Sequence, residues 1–266
     1  MSTAEAWAIL PGSAQPTTLT LVAIKGDLLY EGKAKRLFKT DCDRVLWVEY
    51  MDQATAFNGE KKDQIKGKGV LNNQISSLIF EWLSVQGIAN HLVERISPTE
   101  QLVHKVDIVP LEVVVRNTAA GSLSKRLGIP EGEELPRPIV EFYYKSDELG
   151  DPLINEDHIA IMAIATQEEL AEIRRQALQV NEALQLLFGE LGIRLVDYKL
   201  EFGRDADGKI LLSDEVSPDT CRLWDMETNE KLDKDVYRRD LGDLVSVYQQ
   251  VHDRLEQKLD PTGGEQ

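Results

Sequence analysis

Cysteine is almost missing from this chain of 266 residues: Cys42 and Cys221 are the only two. Two thiols in a chain of this size make no disulfide framework, and the expectation is a reducing, cytoplasmic setting. Histidine is nearly as sparse. His91, His104, His158 and His252 show no ligand spacing such as H-x-x-x-H, so no zinc site is expected. No apolar run approaches the roughly 20 residues that cross a bilayer. Residues 1–10 carry no basic residue ahead of their short apolar patch, which reads against a secretory signal. Basic residues are outnumbered, 30 Lys and Arg against 46 Asp and Glu, and the net charge of −16 argues against a general nucleic-acid binder. It leaves room for an anionic substrate wherever the few cations cluster. The phosphate-loop pattern G-x-x-x-x-G-K-[ST] does not occur, and there is no internal repeat.

What is present suits an ordinary globular protein, with 42% hydrophobic and 29% charged residues and length for one large domain or two small ones. Residues 1–24 read as a tail in which 19–22 can add a strand, and 261–266 as a second tail. Short adjacent strands are expected at 28–30, 35–38 and 44–50, then at 91–95, 101–105, 111–116 and 139–144, with a proline-rich loop over 130–138. Helical spacing of Ile75, Leu78, Ile79 and Trp82 predicts a helix over 70–86 capped by Gly87. Thr166 and Glu169 have capping-box spacing and start a long helix whose stripe is Leu170, Ile173, Ala177, Val180, Leu184, Leu187 and Leu191. A last helix over 236–259 would bury Leu241, Leu244, Tyr248, Val251 and Leu255. Sheet first and helices later point to an α+β fold with two lobes.

The chemistry centres on LVDYKLEFG at 195–203. Strict alternation puts Val196, Tyr198, Leu200 and Phe202 on one face and Asp197, Lys199 and Glu201 on the other. If Asp207-Gly208 forms a two-residue turn, Glu201 stands opposite Asp214. Two carboxylates about 5 Å apart repel by on the order of 3 kcal/mol at an effective dielectric near 20. A hard cation such as Mg²⁺ relieves that repulsion. An exposed polar face is the plain alternative, but acids on both strands and a full apolar face favour the metal.

Gly32-Lys-Ala-Lys35 joins two strands, offering a glycine and two point charges to a phosphate; alone it is more readily a solvated turn. The basic, glycine-flanked stretch 61–69 is equally an anion site at a helix start or a charged surface loop. After VVVR, the small residues that lead through Gly121-Ser122 to a short helix would set the Arg116 fork and the Ser122 hydroxyl on one anion. Asp219 and Arg222 reach back over the acidic face or pair with each other. Lys145 and Asp151 are ambiguous.

Taken together these stretches resemble the SAICAR synthetase (phosphoribosylaminoimidazole-succinocarboxamide synthase) family of purine biosynthesis. VPLEVVVRNTAAGS at 109–122 and LVDYKLEFG at 195–203 are unbroken. Gly-Lys-Ala-Lys at 32–35, G-K-G-x-x-N-N at 67–73, S-P-D-x-x-R at 217–222 and Asp-Lys-Asp at 233–235 follow in the family's order. The resemblance covers roughly residues 27–257.

The resemblance implies a two-lobed α+β fold. Residues 25–107 would be an antiparallel-sheet, ATP-binding lobe, 108–260 a substrate- and metal-binding lobe, and 1–24 an extension. The implied reaction takes ATP, L-aspartate and carboxyaminoimidazole ribonucleotide (CAIR) to the succinocarboxamide, ADP and phosphate, through an acyl phosphate. Gly32, Lys33 and Lys35 would meet the ATP phosphates, Glu201 and Asp214 hold Mg²⁺, and Asp197 and Lys199 flank the transferring phosphoryl group. Arg116, Ser122, Asp219 and Arg222 would bind the ribonucleotide, with Lys145, Asp151 and Arg238 as further substrate contacts. A homo-oligomer, with no membrane or nucleic-acid partner, is implied. The rival classes are a small-molecule kinase, which needs no amino acid, and a catalytically dead nucleotide-binding scaffold.

Overall fold

In the computed structural model, which describes residues 23–56 and 59–259, the short alternating runs near the start of the chain pair as antiparallel neighbours. The strand expected at 19–22 and the tail at 261–266 lie outside the described residues. The first elements are β1 (Lys25–Glu31), β2 (Lys35–Thr40) and β3 (Val45–Tyr50), then a small hairpin of β4 (Gln53–Ala56) and β5 (Lys61–Gln64). Helix α1 (Lys68–Val85) follows, then β6 (Leu92–Arg95) and β7 (Glu100–His104). They build a five-stranded sheet of order β1-β2-β3-β7-β6.

The second sheet takes β8 (Asp107–Ile108), β9 (Leu111–Thr118), β10 (Glu134–Tyr144) and β11 (Leu153–Ile154), with helix α2 (Gly121–Leu127) between β9 and β10. Helices α3 (Glu156–Ile161) and α4 (Gln167–Glu190) precede β12 (Ile193–Arg204), β13 (Ile210–Ser213) and β14 (Cys221–Asp225). Its order is β11-β10-β9-β12-β13, with β14 and β8 also on β12, so β12 is the strand on which the sheet is assembled. The chain ends in α5 (Asp235–Arg238) and α6 (Leu244–Leu259).

One apolar core joins these parts. Tyr198, Leu200 and Phe202 of β12 pack on the α4 stripe, where Ile173, Ala177, Val180 and Leu184 are fully buried. The isoleucine, valine and leucine side chains each contribute roughly 1.5–3 kcal/mol by leaving water. The same core takes Ile75, Ile79 and Leu83 of α1 and Tyr248, Val251 and Leu255 of α6, so α1 bridges from the first sheet to the second. At its start Gly69 is required, because a Cβ there would lie 2.9 Å from the Tyr50 carbonyl oxygen. Among the described residues no helix is long and apolar enough to cross a membrane.

The capping box of α4 forms as expected: Thr166 Oγ1 accepts the Glu169 N–H at 3.2 Å and Glu169 Oε2 accepts the Thr166 N–H at 2.9 Å. Glu169 also takes Arg204, and this hydrogen bond holds its carboxyl at about 2, below the ordinary 4.5. A depressed carboxylate stabilises the fold above its unfolded pKa, and that stability is lost as pH falls through the folded value. Acid unfolding is therefore expected to steepen between about pH 4.5 and 2. Replacing Arg204 by methionine should flatten that window in a urea-melt series; an unchanged slope would refute the assignment.

Several expectations are corrected. The 130–138 stretch is not all loop: β10 starts at Glu134, and Pro136 and Pro138 sit in an irregular stretch of its pairing with β9, beyond the two residues that pair with β11. There no ladder N–H is lost. The last helix is broken: Asp240 and Gly242 have positive φ, α6 starts only at Leu244, and Leu241 is exposed. The stretch 61–69 is not all loop, since 61–64 is β5 and α1 starts at Lys68; residues 62–64 and 66 are exposed, while Lys68 and Gly69 are buried. Helix α3 and strands β4, β5, β8, β11 and β14 were not anticipated.

Candidate active site

Between the two sheets lies a cavity of about 860 Å³. Leu37, Leu46, Val48 and Val103 of the first sheet give it an apolar wall, and the opposite wall is charged. Every site residue expected from the sequence lines it except Ser122, whose hydroxyl accepts from Arg116. A linear spread from residue 32 to residue 238 is thus gathered into one cleft.

The β12–β13 hairpin reaches this result by another register. Glu201 faces Ser213, not Asp214, and Arg204 faces Ile210. The turn is longer than two residues because the Asp205 carboxylate accepts the N–H groups of Asp207 and Lys209, at 2.9 and 2.8 Å, and closes a wider loop. Asp214 enters the cleft by backbone conformation instead. Its φ of 62° is left-handed, which aspartate tolerates better than most residues, and it swings the carboxylate back over β12. Alternation also breaks at Val196. A bulge between Leu195 and Asp197 sends Leu195 into the main core and Val196 onto Ala120 and Trp224.

Two charged clusters result. In the first, Lys35 pairs with Asp214 and, at 3.1 Å, with Glu215. Lys199 lies 2.8 Å from Glu201, 3.1 Å from Glu112 and 3.9 Å from Asp214, and Lys145 closes on Glu201. Burial works against charge on Lys35 and Lys199, but the surrounding carboxylates outweigh it and hold both well above the usual lysine range. Burial likewise opposes the Asp214 carboxylate, and Lys35 and Lys199 overcome it, keeping its pKa well below normal. Four carboxylates (Glu112, Glu201, Asp214, Glu215) thus face three ammonium groups (Lys35, Lys145, Lys199). All the donors are hard oxygens, a set that fits Mg²⁺ and not a thiolate- or imidazole-bound metal.

The second cluster lies farther along β9 and β12. Arg116 donates to Asp197 at 2.6 Å, Glu141 at 2.7 Å and Ser122 at 2.9 Å. Arg222 reaches the same Asp197 at 2.9 Å and Asp235 at 3.1 Å, and Asp235 also takes Arg238. Glycine is favoured at 121 by its left-handed φ of 54°, and a Cβ there would also press on the Arg222 guanidinium. Asp219 and Arg222 do not pair. The Asp219 carboxylate is buried, and it accepts Lys68 at 2.6 Å, Lys234 at 3.3 Å and the Tyr248 hydroxyl at 2.5 Å. Lys33 is exposed on Asp147 at the mouth, and Asp151 closes its own loop by accepting the Ser146 N–H.

Sequence reasoning missed Glu112, Glu215, Lys68 and Lys234. Glu112 was within reach: on β9, Glu112, Val114 and Arg116 share one face, so alternation from Arg116 would have found it. Lys68 had no such signal among the lysines of its stretch.

A family model described as SAICAR synthetase matches residues 28–255. The phosphoribosylaminoimidazole-succinocarboxamide synthase of Bacillus subtilis (strain 168) is 63% identical over 232 residues, covering 87% of this chain and 96% of that protein. The crystal structure of the synthase of that name from Ehrlichia chaffeensis superposes with a TM-score of 0.85 at 46% identity, covering 86% of this chain and 98% of that one. A SAICAR synthetase solved in complex with ADP gives 0.84 at 51% identity, over 86% and 97% of the two chains.

Proposed function

Because this chain belongs to the SAICAR synthetase family, we propose how its cleft residues divide the work of the reaction. The protein is an ATP-dependent ligase of purine biosynthesis, joining L-aspartate to the carboxylate of CAIR with release of ADP and phosphate. A carboxylate is a poor electrophile, so the ATP γ-phosphoryl group is first transferred to it. The resulting acyl phosphate is opened by the aspartate amine.

The observation that carries the division is the meeting of Lys35, from the first sheet, with Asp214 and Glu215, from the end of β13. It sets a phosphate-binding cation beside a cation-binding acid, with an apolar wall for the adenine on the first-sheet side. Gly32, Lys33 and Lys35 take the ATP phosphates. Glu201 and Asp214, now paired with lysines, would hold Mg²⁺. When bound, the ion neutralises phosphoryl charge. Lys199, set between those acids, stabilises charge on the transferring group. Asp197 is committed to Arg116 and Arg222, so its role is to orient those two guanidinium groups toward the ribonucleotide. Arg116, Ser122 and Arg222 anchor the ribonucleotide, with Arg238 and Lys145 as further contacts. Asp219 acts from behind by holding Lys234, and Asp151 by shaping the Lys145 loop.

Residues 25–107 and 108–260 form the ATP-binding and the substrate-binding lobe in this reading. A cytoplasmic location, supported by the two free cysteines, and a homo-oligomeric assembly belong to it as well.

The test uses CAIR labelled with ¹⁸O in its carboxylate. One label atom should appear in the released phosphate, and ADP should form in step with amide only when L-aspartate is present. ADP formed equally fast without aspartate, with a stable phosphorylated product, would instead mark a kinase.

A further inference from the structure

Amide formation needs a step that the phosphoryl-transfer cluster does not supply. The aspartate amine arrives as an ammonium ion, and it must give up a proton before its lone pair can attack the acyl carbon. The acceptor has to be a carboxylate open to the cleft and not already committed. Asp197 is held by two arginines and Asp219 by two lysines and a tyrosine. Glu215 is buried on Lys35 and the Ser217 hydroxyl. Glu201 and Asp214 are the acids assigned to Mg²⁺, Asp147 stands exposed at the mouth on Lys33, and Asp151 is tied into its own loop by the Ser146 N–H.

Glu112 remains. Its side chain is 23% exposed, faces the cleft, and has one partner, Lys199 at 3.1 Å. It lies on the same face of β9 as Arg116, four residues away, or about 13 Å at 3.3 Å per residue. That span is comparable to the length of a ribonucleotide. With the phosphate end of CAIR toward Arg116, the reacting carboxylate falls at Glu112 and Lys199.

We propose that Glu112 receives the aspartate ammonium group and is the catalytic base of amide formation. Its carboxylate takes one proton from the ammonium, freeing the nitrogen lone pair. Nitrogen then bonds to the acyl carbon as the carbon–oxygen bond to phosphate breaks, and phosphate leaves with the electron pair. The second nitrogen proton goes to the departing phosphate, and Glu112 returns its own to water. The proposal rests on the acyl-phosphate reading above.

Hydroxylamine separates the two halves, because it is already unprotonated at neutral pH and traps an acyl phosphate as the hydroxamate. With Glu112→Gln, aspartate-dependent ADP release should fall about a hundredfold. Hydroxamate formation from CAIR and ATP should stay within about threefold of the unmodified protein, because no base is needed there. Glu112→Asp should recover part of the aspartate reaction. Equal loss with both nucleophiles would place Glu112 in phosphoryl transfer and overturn the proposal, as would near-normal aspartate turnover in Glu112→Gln. Absence of hydroxamate from the unmodified protein would refute the acyl phosphate itself, and the role of Glu112 with it.

Discussion

Replacing Glu201 by glutamine is expected to lower the ligase rate by about 10³-fold, the upper range for deleting one preorganised charge contact at a transition state. Asp214→Asn should do the same. Both changes keep shape, and asparagine accepts the left-handed backbone at 214 as readily as aspartate, so no new strain is introduced. Neither should disturb the fold. Without the Glu201 charge, Lys199 keeps Glu112 and Asp214, while the half-exposed Lys145 turns to water. The diagnostic is a Mg²⁺ titration of the residual rate: each variant should need far more Mg²⁺ to reach half its maximum. Near-normal activity in both would refute the metal assignment.

The largest effect on stability is expected from Lys68→Met. Lys68 is fully buried at the first residue of α1, with its ammonium 2.6 Å from Asp219. Burial opposes the Asp219 charge, and Lys68 foremost, with Lys234, keeps its pKa far below the usual carboxylate range. Methionine fills the volume but leaves Asp219 buried with only Lys234, at 3.3 Å, and the Tyr248 hydroxyl to hold its charge. Breaking a buried pair from one side costs about 3–5 kcal/mol. In a chain of this length that lowers Tm by on the order of 10 °C. Adding Asp219→Asn should cost less than the sum of the two single changes, because the orphaned charge is then gone. A single variant melting within a degree or two of the parent would show that the pair contributes little. Activity should fall too, because the Thr220 carbonyl, next to Asp219, accepts the Lys199 N–H at 2.8 Å.

Much of the cleft was legible because its chemistry is written in local patterns. Alternation at 195–203 put Asp197, Lys199 and Glu201 on one face, and all three line the cleft. Thr166 and Glu169 marked the start of α4 to the residue. Asp214 was also named, for a reason that failed. The two-residue turn did not form, and the residue arrives through its own backbone angle. A register error of one residue is invisible to composition, since a side-chain hydrogen bond from Asp205 is enough to lengthen the turn.

By itself, then, the sequence determined which residue types stand at which positions along each strand and helix. Periodicity, caps and glycines are short-range, and they suffice for element type and facing. The tertiary structure alone decided which charges meet. Lys68 looks like any lysine of a basic stretch until α1, α6 and the 217–220 turn close around it. Glu112 is one acid among 46 acidic residues until β9 lies beside β12 and leaves it facing Lys199. The physical reason is that burial and ion pairing depend on contacts between residues far apart in the chain, 151 positions for Lys68 and Asp219 and 87 for Glu112 and Lys199. Their energies are set by how far water is excluded from the pair, and no local pattern records that.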